Sequence, residues 1–129
     1  RDFPEVPVVI DHAGCPYDQS ESGLQLWMNG LASLAELPNL HIKLSGFGMY
    51  DKDWSSESTQ LIFDTILENF SSNRIMWGSN FPVERLMNPY RFCVAQLLKW
   101  LAPLSSEDQR HITSETALRY YHIGENLEL

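Results

Sequence analysis

The chain has 129 residues, 43% of them hydrophobic, and a formal net charge of −8. That length supports one domain with a real core, and that composition excludes a disordered chain. The acidic balance excludes the basic face of a nucleic-acid binder and gives no attraction to an anionic membrane.

The first predicted element is a strand over Val6 to Asp11, a nearly continuous β-branched run of the kind that suits a parallel strand covered on both faces. Gly14 and Pro16 end it, and a polar loop follows. Leu24, Trp27, Met28, Leu31, Leu34 and Ala35 recur at steps of three and four, which predicts a helix with one apolar face, stopped by Pro38. The second strand alternates: Leu40, Ile42 and Leu44 point one way, and His41, Lys43 and Ser45 the other. Gly46 and Gly48 free the backbone after it.

Ser55 or Ser56 is expected to cap a second helix, with Glu57 in its first turn and a buried stripe of Leu61, Ile62, Thr65, Ile66 and Phe70. A third strand runs Ile75 to Gly78, and Ser79 to Pro82 form its exit loop. Asn88 and Pro89 open another helix, as cap and first-turn residue, with Phe92, Val94, Leu97, Leu98 and Leu101 on its apolar side. Ser105 to Asp108 is a variant capping box, and a last turn or two from Ser114 packs through Ala117, Leu118 and Tyr121. Trp27, Trp77, Phe81 and Trp100 are expected in the core. Glu84 is expected to be solvated or to pair with a loop. With no linker or low-complexity segment, residues 1–129 are expected to form one unit.

Three strands thus end in polar signatures at His12, Ser45 and Ser79-Asn80, with roughly 33 residues from His12 to Ser45, roughly 34 from Ser45 to Ser79, and a helix in each gap. This is the rhythm of repeated βα units on a parallel sheet, a class of fold that places its chemistry at the carboxyl ends of the strands. His12 there suits a metal ligand or a proton shuttle; its bland alternative is a histidine satisfied by a backbone carbonyl. Asp11 should face the helices and bond loop amides. An inward ammonium at Lys43 needs a partner: a substrate carboxylate or carbonyl, or, as a structural ion pair, a carboxylate from a missing part of the fold. Cys15 lies three residues beyond His12 and is either a nucleophile beside it or a small residue in a substrate loop. Met49 and Tyr50 line a pocket or pack. His41, His111 and His122 lie away from the active end. Cys15 and Cys93 make no disulfide framework, and a cytoplasmic setting is expected.

The segments DHAGCP (11–16), KLSGFGMY (43–50), RIMWGSNFPVE (74–84) and TALRYYHI (116–123), in this order and spacing, resemble the carboxyl-terminal half of the amidohydrolase family that includes sugar-lactone hydrolases. The resemblance spans almost the whole chain. It implies an α/β fold, part of a (β/α)8 barrel: the last three βα units, strands six to eight, plus carboxyl-terminal helices. It further implies hydrolysis of a small lactone, ester or amide by water attack, with His12 and Asn80 as catalytic residues. Lys43, Cys15, Met49 and Tyr50 would bind a small-molecule substrate. A divalent metal such as zinc is used by some members, with His12 as its ligand here. Asn80 stands where the family pattern carries aspartate, and a carboxamide cannot accept a proton as a carboxylate does. A weakly active or inactive ligand-binding relative, or a half-barrel interaction fragment, are the alternatives. The chain opens at Arg1 close to a strand, so it is expected to be part of something longer. It would then rely on a missing amino-terminal half or on another copy of itself.

Overall fold

The computed structural model describes residues 3–124. Three parallel strands, β1 (Val8–Ile10), β2 (Leu40–Leu44) and β3 (Ile75–Trp77), form a sheet in the order β1-β2-β3. The crossovers run through α1 (Glu21–Ala35) and α2 (Gln60–Asn69), which touch and so lie on one face of the sheet. After β3 come α3 (Tyr90–Leu101), α4 (Ser106–Arg110), a π-helical turn (His111–Glu115) and α5 (Thr116–Tyr120).

The core lies between the sheet and its helices. Leu40, Ile42 and Leu44 are buried along β2, while His41 and Lys43 on its other face are only half-buried, as the alternation predicts. Ile62, Phe63, Ile66 and Phe70 pack from the α2 segment, and Cys93, Leu97, Trp100 and Leu101 from α3. Beneath the loop after β2 the core is aromatic. Phe63 stacks on Trp100 at 5.1 Å, Trp54 on Trp100 at 5.8 Å, and Phe47 meets both indoles at 5.0 Å. Such rings contribute area and a preferred geometry together. At the opposite end, Arg74 Nη1 donates to the carbonyls of Ala35, Leu37 and Leu40. One cation therefore satisfies the end of α1 and the start of β2, where carbonyls lack helical partners.

Several expectations are corrected. β1 is shorter than Val6 to Asp11, and Val6 and Val8 are exposed, because nothing pairs with its outer edge among the described residues. α2 begins at Gln60; Ser55 and Ser56 precede it, where Ser55 Oγ and Ser58 Oγ accept each other's backbone N–H in a turn. Leu61 and Leu98 face solvent, while Phe63 and Trp100 take the buried positions. Pro89, not Asn88, is the residue before α3. The capping box holds: Ser105 Oγ accepts from the Asp108 amide at 3.1 Å. Trp27, Trp77 and Phe81 pack against the core while staying half-exposed, and Trp100 is fully buried.

Candidate functional site

The carboxyl ends of the three strands meet. Parallel pairing sets Ile10 beside Ile42 and Leu44 beside Trp77, so the residues just past each strand share one rim. On that rim His12 Nδ1 lies 2.9 Å from Ser45 Oγ, and an added Cβ on Gly78 would sit 3.5 Å from the Ser45 Cβ. Ser45, 3% exposed, is therefore wedged between the ends of β1 and β3.

His12 opens a turn in which His12, Ala13, Gly14 and Cys15 all have positive φ, between 50° and 71°. Non-glycine residues seldom adopt this region, and such strain gathers at functional sites. The turn is held by Gly14 N–H on Asp11 O at 3.0 Å, Cys15 N–H on His12 O at 2.8 Å, and the Trp27 indole on Ala13 O at 2.9 Å. The imidazole lies against Gly46, whose own φ is +68°; a Cβ there would stand 2.5 Å from His12 Nδ1. Gly46 is thus required twice, for its dihedral and for the approach of the ring. Ser45 engages Nδ1 and leaves Nε2 for a ligand or water.

Asn80 also has positive φ, 55°, and its carbonyl accepts from Glu84 N–H at 2.9 Å. Its side-chain Nδ2 is buried without a partner among the described residues. Asp11 does not bond loop amides: its carboxylate meets Lys43 Nζ at 3.0 Å, and that ammonium stands 5.6 Å from the ring centre of Tyr121. Burial pulls the Lys43 ammonium down, but Asp11 and the Tyr121 hydroxyl outweigh it and leave it raised. Of the alternatives for Lys43, the structural pair is the one present, with a carboxylate of this chain.

Cys15 is half-buried, and the groups it acts on are the tyrosines Tyr17 and Tyr50. The charge it would carry as thiolate is the first cause raising Tyr17, and the Tyr17 and Tyr50 rings meet edge-on at 6.3 Å. Burial first, then charge on Cys15, Asp51 and Glu84, hold the Tyr50 hydroxyl well above its usual range, and that hydroxyl has no hydrogen-bond partner among the described residues. Met49 is partly exposed at the edge of the same loop. The structure therefore joins His12 to Ser45, groups Cys15 with Tyr17 and Tyr50, and gives Lys43 to Asp11.

Sequence placed Ser45 at the active end without giving it a role, and did not place Glu84 there at all. The register carried on from Ile10 and Ile42 sets His12 beside Leu44, one residue before Ser45. Glu84 is 1% exposed, not solvated; it accepts from the Trp54 indole at 2.8 Å.

A zinc site needs three or four nitrogen, sulfur or carboxylate ligands. Among the described residues no three of His, Cys, Asp or Glu are grouped to hold a metal. His12 offers one imidazole, Asp11 is committed to Lys43, and a carboxamide at position 80 is a poor ligand. These residues do not by themselves fit the ion.

Residues 1–123 match the amidohydrolase family, and the chain belongs to it. The chain is 30% identical to an uncharacterized protein, y4mH, of Sinorhizobium fredii, over 95% of this chain and 41% of that protein. It is 30% identical to the L-fucono-1,5-lactonase of Burkholderia multivorans, over 92% of this chain and 44% of the lactonase. The fold superposes on a crystal structure of an amidohydrolase from Burkholderia multivorans with bound zinc. The TM-score is 0.85 at 28% identity, over 94% of this chain and 45% of that one. The chain thus spans under half the length of the relatives it matches. No helix among the described residues is long and apolar enough to cross a membrane.

Proposed function

We propose that this chain forms the last three βα units, strands six to eight, of a (β/α)8 barrel that hydrolyses a small lactone, a sugar lactone being the first candidate. The observation that carries this reading is the His12–Ser45 pair at the joined carboxyl ends of parallel strands, in a chain of the amidohydrolase family. With Nδ1–H donated to Ser45 Oγ, the His12 Nε2 lone pair takes a proton from attacking water. Asn80 Nδ2, a buried donor without a partner among the described residues, supplies a hydrogen bond to the carbonyl oxygen as negative charge grows there. The proton on His12 then passes to the leaving alkoxide, opening the ring.

The outer edges of β1 and β3, unpaired among the described residues, favour a chain that works with more barrel around it, an amino-terminal half or a second copy. A ligand-binding relative without turnover is the second reading, favoured by the carboxamide at position 80. The experiment is a pH-stat assay of aldonolactone opening by this chain joined to the rest of its barrel, with His12→Ala as control. Opening that vanishes in the variant supports the hydrolase; lactone binding without opening supports the second reading and sinks the first.

A further inference from the structure

Glu84 lies just beyond the β3 exit loop, and the proposed proton transfer does not use it. It is 1% exposed, so it does not replace the missing carboxylate of position 80 as a base: water cannot reach it. Its Oε1 accepts the Trp54 indole N–H from across the loop after β2. The same oxygen lies against the main chain of Gly48, where any Cβ would stand 2.5 Å away. Its backbone N–H closes the turn on Asn80 O at 2.9 Å, and its carbonyl takes Asn88 N–H at 2.8 Å. Its second oxygen, Oε2, is buried without a partner among the described residues.

A buried carboxylate with an unpaired oxygen is a poor way to stabilise a fold; an apolar residue of similar volume does better. The position makes sense as a constraint. We infer that Glu84 is a positioning residue: its side chain pins the Gly48–Trp54 loop while its main chain fixes the left-handed Asn80. The two loops that carry Tyr50 and Asn80 are thereby held in one register. The inference rests on the reading of Asn80 as the group that binds substrate.

The test uses Glu84→Ala, Glu84→Gln and Gly48→Ala in the ¹⁵N-labelled chain. Gly48→Ala displaces the carboxylate without altering it, and Gln retains an acceptor for Trp54, so the test survives if Glu84→Ala fails to fold. The expected result is that Gly48→Ala and Glu84→Ala move the Asn80 carboxamide resonances, while Gln leaves them near their original place. Where lactone opening is measurable, kcat falls about tenfold in Gly48→Ala with KM little changed, and Gln at position 84 keeps it near the parent value. Variants that melt earlier but leave the Asn80 resonances in place overturn the inference. A chain joined to the rest of its barrel that opens no lactone defeats the hydrolase reading alone, because the resonance shifts decide Glu84 without turnover.

Discussion

In the proposed reaction His12 accepts the proton and Ser45, 2.9 Å from its Nδ1, holds the ring in place. Replacing His12 by Ala removes the acceptor and is expected to lower lactone opening by about 10²–10⁴-fold, as loss of a general base does. Ser45→Ala leaves the acceptor but frees the ring to turn; a smaller loss in kcat is expected, read from steady-state kinetics. His41, on the far end of β2, has a different pH signature. Burial first, with Arg74 and Arg119 nearby, holds its imidazole below the usual histidine range, against a hydrogen bond at Asn39 that raises it. A depressed folded-state pKa means the unfolded chain binds the proton first. The neutral ring's contribution to stability is then fully present above about pH 6.5 and is lost as pH falls through the folded value. His41→Phe should flatten that acid slope in urea titrations at stepped pH. Lys43 runs the other way: its pairing stabilises below about pH 10.5 and is lost as pH rises through its higher folded value.

Glycines separate the elements that tolerate change from those that do not. Gly30 sits within α1, and a Cβ added there would meet nothing within 4 Å, so Gly30→Ala should stabilise the chain by about 0.5–1 kcal/mol through helix propensity alone. Gly46→Ala should cost about 1–3 kcal/mol, because it meets both a left-handed dihedral and the His12 ring. Thermal melts of the two variants should shift in opposite directions. The same contrast shows what a sequence discloses. The three strands and the first two crossovers follow from apolar periods and from Gly and Pro punctuation, all local signals. The burial of Glu84 and the Asp11–Lys43 pair do not, because each depends on a partner about 30 residues away brought close by the fold. The shift of the second helix start from Ser56 to Gln60 has the same origin. Ser56 is held instead by Gln96 from α3 at 2.9 Å, a tertiary contact that outweighs its capping preference.

For the whole molecule, the outer edges of β1 and β3, unpaired among the described residues, are expected to dominate behaviour. A parallel sheet normally has helices on both faces and neighbours along its edges. Here β1 exposes Val8, with Val6 just before it, and Phe3 beside them is 69% exposed. The isolated chain is expected to self-associate, measurable by sedimentation velocity as a concentration-dependent rise in mass. A soluble, cooperatively melting monomer would count against the proposed need for further barrel. Val8→Lys, a charge on that edge, should reduce association. Membership of the amidohydrolase family was legible from four short segments in register. The Asn80 environment was not, since no spacing reveals that a carboxamide nitrogen is buried without a partner among the described residues.

The aromatic stack beneath the β2 loop has an optical consequence. Trp54 and Trp100 lie 5.8 Å apart with their planes 20° from parallel, close enough for their electronic transitions to couple. Trp54 also holds the Glu84 carboxylate, so that pair of chromophores sits directly under the segment that carries Tyr50. The near-ultraviolet circular dichroism of this chain is therefore expected to gauge the loop's packing separately from the far-ultraviolet helix signal.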